Sequence, residues 1–495
     1  MITLKRSSCL IVSALLAGCA VGPDFKQPAA PSQAGYSSAP LAASTTSAPG
    51  TLGQAQRLVN GMDIPGQWWT LFQSKPLDSL IERAFKANPT ITAAQAALTV
   101  SRENMLAQGG TLLPSIGVDA SASRNATSTA SLAPVAANNQ RIYSLDTGAL
   151  TVSYALDVFG LNRRTIESAA AQAESQRFEL EAAYLTLSSN IVLAAVNQAS
   201  LHGQVSAQEE IIKIETEMRD TLQREYAVGE VAQTDLLQQD TLLAQAKQQL
   251  PSLQKQLALQ RDALAALVGC YPNQDVGADF DLSSLQLPVD LPVSIPSRLV
   301  EQRPDVQAAA ANLHAATAQV GVAIAERLPQ LSLTAALGTS PSTFASAFTP
   351  YNQFFSVLGQ ASQPIFQGGA LLHRQRAAQA AVDQSTAQYR ATVINAFQNV
   401  ADVLQSVQAD ARTLQAAVAT EQSAAHSLTI ARQASKVGET PYVSVLNAEQ
   451  AYEMARIALV QAQATRLADS AALFQALGGG WWNRPDPTAV AHHNG

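Results

Sequence analysis

The chain has 495 residues, with 31 Lys and Arg against 38 Asp and Glu and a formal net charge of −7 at pH 7. This acidic balance, with only 14% charged residues, excludes the basic surface that nucleic-acid binding requires. Two of the three cysteines lie within the first 19 residues, so a disulfide framework inside the chain is excluded as well.

The first residues have the pattern of an export signal. Lys5 and Arg6 provide a positive start, and an apolar run follows from Leu10 to Leu16. This run is shorter than the roughly 20 residues that a membrane-spanning helix needs. Residues 1–18 are therefore predicted to be a secretory signal peptide that is removed from the mature protein.

The end of this signal, Leu16-Ala17-Gly18-Cys19, is similar to the bacterial lipobox, in which the cysteine is acylated and becomes the first mature residue. We therefore predict lipidation of Cys19 by an S-diacylglycerol and an N-acyl group, which together carry enough acyl chains for stable anchoring. The alternative is an ordinary signal peptide with small residues before its cleavage site. Ala20, rather than Asp, follows the cysteine, and the similarity to other lipoproteins then favours the outer membrane.

Residues 19–60 are predicted to be a lipid-anchored tether. The stretch 27–60 is rich in Ala, Ser, Thr, Pro and Gly and has few large apolar side chains, which is typical of a flexible connector. The folded part is expected to begin near Trp68. Two helices are predicted next, over Pro76–Lys86 and Asn88–Gln108, the second rich in Ala.

Four later segments show the two-residue alternation of β-strands. Apolar residues on one face alternate with small or polar residues on the other, as in the strands of transmembrane barrels. The segments are 116–123, 150–158, 331–338 and, with poorer alternation, 354–365. A solvated sheet packed on a soluble core has the same alternation, but the outer-membrane address favours the barrel. No apolar run after the signal reaches about 18 residues, so no membrane-spanning helix is predicted.

Four strands are too few to close a barrel, and the open edges of a sheet are not tolerated in lipid. We therefore expect several chains to contribute four strands each, which makes the protein an oligomer. The stretches 127–144 and 339–352, rich in Ser, Thr, Ala and Asn, would be the external loops of this barrel.

Two very long helices are predicted, because Leu161–Val228 contains no Pro and a single Gly and Ala370–Val437 contains neither. At 1.5 Å per residue each would be roughly 100 Å long. Returning helices are predicted over about 234–268 and 443–477, and each has an apolar seam repeating every seven residues, as in coiled coils. The seams are Leu236, Leu243, Leu250, Leu257 and Leu264, and Val445, Tyr452, Leu459, Arg466 and Leu473, of which Arg466 is a polar interruption. Pro251 is expected to kink the first returning helix.

The second half of the chain repeats the first. Gly438, at the end of one long helix, lies 209 positions after Gly229, at the end of the other. This period is far outside the roughly 20–50 residues of solenoid repeats and indicates a duplication. Two repeats are predicted, 61–269 and 301–479, each in the order helix, strands, long helix, tip, helix.

Three motifs resemble the outer-membrane efflux protein family of TolC-like channels, and in particular its lipidated NodT/OprM-type branch. They are Cys19-Ala20-Val21-Gly22-Pro23-Asp24-Phe25, Pro296-Ser297-Arg298-Leu299-Val300-Glu301-Gln302-Arg303-Pro304-Asp305 and Ala476-Leu477-Gly478-Gly479-Gly480-Trp481. Together with the lipobox, the duplicated strand pairs and the paired tips, the resemblance covers about 19–485.

This resemblance implies an α+β membrane protein that assembles as a homotrimer. The trimer would form one twelve-stranded β-barrel, four strands per chain, continued through the periplasm by a long α-helical coiled-coil barrel. The linker 270–300 and the C-terminal tail 480–495 would form an equatorial belt. The implied partners are outer-membrane lipid, a periplasmic adaptor (membrane fusion protein) and an inner-membrane transporter, usually of the resistance-nodulation-division type. The cargo would be drugs or other small toxic molecules.

The resemblance also implies roles for the two helix hairpins. Their tips, Gly229-Glu230 and Gly438-Glu439, would face the inner membrane, contact the adaptor and close the tunnel at rest. Glycine suits such turns because it adopts positive φ, although any helix hairpin can end on glycine. Gate residues pointing into the lumen would follow each tip: Asp235 and Gln238 in the first half, Ser444 and Asn447 in the second.

Many relatives carry Asp where this chain has Asn447, so its gate is expected to be weaker, less cation-selective or built from Asp235 alone. The alternative for Asp235 is an acid at a helix N-terminus, favoured by the macrodipole.

The motifs do not support an enzyme. P-loop, G-x-S-x-G and H-E-x-x-H sequences are absent, and the six histidines show no metal-ligand spacing beyond the tail pair His492-His493. No metal and no cofactor other than the lipid is expected. Four arginines near the strand-to-helix junctions are interpreted as interfacial or lumen-lining charges: Arg163, Arg164, Arg374 and Arg376.

The sequence therefore predicts the outer-membrane exit duct of a tripartite efflux system. One alternative is a TolC-like duct for protein secretion, against which the lipobox counts. The other is a lipid-anchored coiled-coil spacer without a pore.

Overall fold

The computed structural model describes residues 20–31, 35–36, 41–126, 128, 141–274, 276–341, 346 and 349–484. The predicted signal peptide and Cys19 lie outside these residues, as does most of the predicted tail. The chain divides into two compact units, each assembled from three stretches. Unit 1 comprises Met1–Pro28, Ala97–Gln176 and Ala309–Tyr389, and unit 2 comprises Ala29–Ala96, Arg177–Ala308 and Arg390–Gly495.

The described residues form eight α-helices, and the predicted helices agree with their bounds to within a few residues. They are α1 (Lys75–Ala87), α2 (Pro89–Gly109), α3 (Leu161–Ala227), α4 (Gln233–Val268), α5 (Pro296–Gln302), α6 (Pro304–Ala325), α7 (Ala370–Lys436) and α8 (Val443–Ala476). The long helices α3 and α7 have 67 residues each. Helix α4 is continuous through Pro251.

Unit 1 contains a four-stranded antiparallel sheet with one strand over each of the four predicted segments, although the second strand begins at Ile142, eight residues before the predicted 150–158 and inside the predicted loop 127–144. The strands are β2 (Ser115–Ala126), β3 (Ile142–Leu156), β5 (Gln330–Thr339) and β6 (Gln353–Ser362); the short strands β1 and β4 belong to unit 2. Their order in the sheet is β2-β3-β5-β6. The two strands of each repeat are therefore neighbours, and the two repeats are joined by the pairing of β3 with β5. Within the described chain, β2 and β6 are edges.

The register of this sheet separates a largely apolar face from a largely small and polar face; Asp146 on the first and Phe354 and Leu358 on the second are exceptions. Val118 pairs with Leu150, Leu150 with Leu337, and Leu337 with Phe355, which forms one apolar row across all four strands. The row is exposed in the single chain, with Val118 at 79% and Phe355 at 82%. The row beside it faces the other way and consists of Gly117, Thr151, Ala336 and Ser356.

One helix of the described chain is long and apolar enough to cross a membrane by length and composition. It is α6, with a mean hydropathy of 1.2, and 56% of its most apolar window is buried inside the protein. No membrane-spanning helix was predicted here, because α6 has no unbroken apolar run of sufficient length; its many Ala and Val residues raise its mean hydropathy around isolated polar residues. A helix buried in a protein core can have the same length and apolar composition, so α6 is weak evidence for a membrane span.

The last part of the predicted tether is ordered, which differs from the expected flexible connector. Strand β1 (Arg57–Asn60) pairs in parallel with β4 (Asp290–Val293) in unit 2. Gln56 is fully buried and donates to the Pro288 carbonyl and to Ser470 Oγ. Composition alone did not indicate this order, because the bonding partners lie more than 200 residues away in the chain.

Arg466 explains the polar interruption in the second heptad seam. Its side chain is 1% exposed and donates to the carbonyls of Leu52 and Gln54 at 2.8 and 2.7 Å, and to Thr45 Oγ1 at 3.1 Å. A backbone segment that crosses a helix needs donors for its carbonyls once water is excluded. Arg466 therefore fixes the N-terminal segment of unit 2 on α8.

The remaining seam residues are largely core residues of unit 2, as the heptad pattern predicts. Four of the five seam leucines of α4 are buried, and the fifth, Leu250, next to Pro251, is half-buried. Trp68, the predicted start of the folded part, is 1% exposed, and its ring stacks on Phe474 at 5.5 Å between centroids. The fold nevertheless begins upstream of Trp68, with the segment that Arg466 holds.

Candidate gate, helix tips and N-terminal docking site

Both long helices end in the same hydrogen-bonded turn at the predicted tips. After α3, Gly229 N–H donates to the Tyr226 carbonyl at 3.0 Å and Glu230 N–H to the Glu225 carbonyl at 2.9 Å. This double closure is a Schellman motif, which satisfies the last carbonyls of a helix and requires a left-handed residue. Gly229 supplies that conformation with a φ of +79°.

The second tip repeats this geometry. Gly438 has a φ of +73°, and it and Glu439 donate to the Ser435 and Ala434 carbonyls at 3.1 and 2.9 Å. A Cβ atom added at either glycine would meet nothing within 4 Å. The acidic residue that follows each glycine is exposed as well. Glycine is thus required at both positions by the positive φ and not by close packing. Both tips are therefore free on the surface of the described chain.

The four gate candidates lie in the first turns of the returning helices. Asp235 and Ser444 are half-buried, whereas Gln238 and Asn447 are exposed. Within the described chain no hydrogen bond or ion pair joins any two of the four. Asp235 stands in the first turn of α4, so the helix macrodipole favours its charge. Within one chain the four candidates therefore lie at the N-terminal ends of α4 and α8 and do not contact one another by hydrogen bonds or ion pairs.

A buried polar cluster, which was not predicted from the sequence, lies close to the same helix ends. Its charged members are Glu215 of α3 and Glu449 of α8, both 1% exposed, and Arg432 of α7. Arg432 Nη2 donates to Glu449 Oε1 at 3.0 Å. Burial raises the pKa of both carboxyls from 4.5 to about 7, and their proximity to other carboxyls adds to the rise.

A neutral bridge completes this cluster. Gln239 of α4 is fully buried, and its amide donates to the Glu215 carboxylate. The Tyr442 hydroxyl in turn donates to Gln239 Oε1 at 2.6 Å. One signal was available in the sequence, since Glu449 follows the seam residue Val445 by four positions and must therefore share its inward-facing stripe.

In unit 1 the residues directly after Cys19 are docked onto the body. Val21 N–H donates to the Phe159 carbonyl at 3.1 Å, and Phe25 stacks on His314 with 4.4 Å between ring centroids. Gly22 has a φ of +100°, and a Cβ there would lie 2.4 Å from the Cα of Gly321. The motif that resembles a mature lipoprotein start is therefore also a close-packed segment.

Arg164 holds this segment, which corrects its interpretation as an interfacial or lumen-lining charge. Its side chain is 5% exposed and donates to Asp24 Oδ1 at 2.7 Å, Val21 O at 3.1 Å and Glu167 Oε2 at 2.7 Å. Burial alone would raise the pKa of Glu167, but hydrogen bonds from His314 and Arg164 outweigh burial and hold that pKa below its usual range.

Two of the other three arginines form ion pairs within unit 1. Arg163 pairs with Asp157 at 3.1 Å and so closes the turn before α3. Arg374 is 65% exposed and lies 3.6 Å from Glu326. Among the residues that the structure describes, no group of His, Cys, Asp and Glu side chains could hold a metal ion.

Comparison with known proteins decides what this arrangement belongs to. The family model described as "Outer membrane efflux protein" matches residues 80–270 and 295–479, one stretch for each repeat and together well over half of the chain. The chain belongs to the outer membrane efflux protein family. The family consists of outer-membrane transport channels and not of enzymes.

Individual relatives agree over nearly the whole length. The pyoverdine export outer membrane protein OpmQ of Pseudomonas putida is 28% identical over 89% of this chain and 95% of its own. The cation efflux system protein CusC of Escherichia coli is 26% identical over 95% and 97%. The crystal structure of VceC from Vibrio cholerae superposes with a TM-score of 0.79 at 27% identity, covering 84% of this chain and all of that one. This efflux protein is thus an outer-membrane component of an efflux system.

Proposed function

We propose that three copies of this efflux protein form one closed twelve-stranded barrel that serves as an exit duct. The observation that carries the proposal is the four-stranded sheet, which has two unpaired edges within the described chain and one largely apolar, exposed face. Open edges are not tolerated in lipid, and pairing β6 of one copy with β2 of the next would remove all of them. The apolar row would then face lipid, and the small polar row would line the lumen.

The proposed anchor is a lipid on Cys19. In its support, Arg164 holds the segment that follows Cys19 through a hydrogen bond to the Val21 carbonyl, so an acyl group on Cys19 would be carried by a fixed segment. Cys19→Ser should abolish fatty-acid labelling of the full-length protein. Labelling that persists in this variant would place the acyl group elsewhere and overturn the lipoprotein assignment.

The proposed partners are a periplasmic adaptor at the tips, with Gly229, Glu230, Gly438 and Glu439 as contact residues, and behind it an inner-membrane transporter of the resistance-nodulation-division type. The free surface around both glycines supports a contact role for the tips. The proposed cargo is small molecules. OpmQ is named for pyoverdine export and CusC for cation efflux, so similar outer-membrane proteins belong to systems with different cargoes. The choice of cargo would therefore be made by the inner-membrane transporter.

A pair of variants on opposite faces of the sheet tests the duct. Val118→Arg would place a charge on the proposed lipid face, at a cost of about 2–4 kcal/mol near the membrane centre. It should reduce insertion and remove heat-resistant trimers from detergent extracts. Thr151→Arg, on the opposite face, should still insert and should change single-channel conductance in planar bilayers.

The outcomes separate the alternatives. If Thr151→Arg blocks insertion and Val118→Arg does not, the faces are assigned the wrong way round. If the unaltered protein forms trimers that never conduct, even with both helix tips removed, the coiled-coil spacer replaces the duct.

A further inference from the structure

The buried cluster near the helix tips joins all four long helices of unit 2. Its members come from α3, α4, α7 and α8 and from the turn before α8: Glu215, Gln239, Arg432, Tyr442, Glu449 and Glu453. Apolar residues surround it, including Leu428 and Val445, which are 5% and 1% exposed. A change in the charge of this cluster therefore acts on the packing of every helix that leads to a tip.

The cluster brings three carboxyls together with one arginine, and the Nε of that arginine forms no hydrogen bond to them. Glu215 lies within hydrogen-bonding reach of both Glu449 and Glu453, and Arg432 is a cation that faces this cluster. Oε1 of Glu449 accepts from Arg432, but its buried Oε2 has no hydrogen-bond partner. A buried carboxylate oxygen without a donor costs free energy, and two carboxylates side by side repel each other. A proton held between Glu215 and Glu449 removes both costs.

Other charged groups nearby do not replace this proton. Asp235 of α4 lies close enough to act on Tyr442, and it adds negative charge. Arg219 of α3 is engaged with Asp240 at 3.2 Å. The pKa of Tyr442 is raised, chiefly by burial and then by Glu449 and Glu215, so Tyr442 stays neutral and donates to Gln239.

Water can reach the cluster from one side. Arg432 and Tyr442 both line an open cleft of about 300 Å³ between the last turns of α3 and α7, together with Met218, Glu225 and Lys436. The Arg432 side chain is 31% exposed, whereas Glu449 behind it is 1% exposed. Protons can therefore exchange with solvent while the carboxyls remain packed.

We propose that Glu215 and Glu449 share a proton while the four helix ends are packed, and that loss of this proton loosens them. The tip region is thereby a pH-responsive element, separate from the gate candidates. This inference concerns packing within one chain and does not depend on whether the assembly conducts.

The direction of the response follows from the burial of these carboxyls. Their pKa is raised from 4.5 to about 7 in the folded chain. Between these two pH values the packed state holds a proton that the loosened, hydrated state releases. Packing is therefore tightest below about pH 4.5 and weakens as the pH rises through about 7. For one proton, the opening equilibrium should shift by about tenfold per pH unit in this window.

Hydrogen exchange measured by mass spectrometry on the full-length protein in detergent tests the inference. Protection factors, corrected for intrinsic exchange, should fall for peptides covering 211–240 and 430–455 between pH 5 and pH 7, and should level off above about pH 8. Peptides from α1 provide the internal reference. Glu449→Gln and Glu215→Gln should flatten the slope, because a neutral amide supplies a permanent donor. Glu209→Gln, an exposed carboxyl on α3, should leave the slope unchanged.

Three results would overturn the inference: a flat profile in the unaltered protein, an unchanged slope in both cluster variants, or an equal slope in α1. If Glu449→Gln fails to fold, the slope of hydrogen exchange against pH is measured instead in Glu215→Gln, on α3, and in Glu453→Gln, on α8.

Discussion

Nη2 of Arg164 lies 2.7 Å from Oδ1 of Asp24, across 140 residues of sequence. Asp24 is itself 85% exposed, so the ion pair alone is worth little. The same guanidinium also donates to the Val21 carbonyl from a buried position, and that bond cannot be replaced easily by water. Arg164 therefore decides whether the first described residues stay docked.

Arg164→Ala should release this docked segment. Losing a buried donor to a carbonyl and to Glu167 should destabilise the docked state by about 1–3 kcal/mol. The measurement is limited proteolysis of the purified protein, with cleavage near Phe25 as the readout. Arg374→Ala, which removes an exposed arginine from the same unit, is the matched control and should cleave at the parent rate. Equal protection in both variants would show that Arg164 does not hold the segment.

Gly22→Ala should undock the same segment through a different cause. The new Cβ would lie 2.4 Å from the Cα of Gly321, a backbone atom that cannot move aside alone. Gly50→Ala is the control, since Gly50 has a comparable φ of +88° with nothing within 4 Å. Proteolysis of 20–25 should increase only for Gly22→Ala. An increase of the same size for both would mean that backbone strain, and not the close approach, is responsible.

Gly438→Val should impair export while the protein remains assembled. A β-branched residue at a φ of +73° costs about 1–2 kcal/mol locally, and the empty space around the glycine means that nothing else is displaced. Efflux of a dye or drug from cells and the amount of heat-resistant trimer are measured together. Gly61→Val, at a φ of +72° in equally open space, controls for backbone strain away from the tips. Normal efflux from Gly438→Val would remove the tip as a coupling surface.

Arg466→Leu should destabilise unit 2 more than any exposed arginine change. It leaves the buried carbonyls of Leu52 and Gln54 without donors, at about 1–3 kcal/mol each. Arg456→Leu, which breaks a half-exposed pair with Glu210, should cost less than about 1 kcal/mol. Thermal unfolding followed by circular dichroism compares the two. Equal midpoints would show that the N-terminal segment contributes nothing to stability.

Asp235→Ala should loosen the closed state of the duct. In the proposed trimer three copies of this carboxylate would approach one another near the axis, where they attract multivalent cations. The variant should raise planar-bilayer conductance and weaken block by such cations added on the periplasmic side, and both effects should fade at high salt. Asp262→Ala removes the same charge from an exposed position on α4 and should change neither. If Asp235→Ala also changes neither, Asp235 is a helix-terminal residue, and closure belongs to the apolar packing of the tips.

The elements of this fold were predictable because their signals are local. A strand with an apolar and a polar face repeats every two residues, as from Ile116 to Ala122, and the structure places β2 there. Helices α3 and α7 follow from the absence of Pro over long stretches, and both tips follow from single glycines at matched positions. The family resemblance was also readable from short motifs, because each motif is contiguous in the sequence and can be recognised without knowing its contacts in the fold.

What the sequence by itself determined is therefore the long helices, the four strands of the unit 1 sheet and their order along the chain, the duplication and the family; the short strands β1 and β4 were not among these. Tertiary structure alone decided which polar residues became buried partners. From the sequence, Arg466 was an interruption of a seam and Arg164 an interfacial or lumen-lining charge, and Glu449 was not identified at all. Their roles depend on Leu52, Asp24 and Glu215, which lie more than 100 residues away in the chain. The reason is physical: the free energy of a buried charge is set by the donors and acceptors around it, and only the folded chain brings those together.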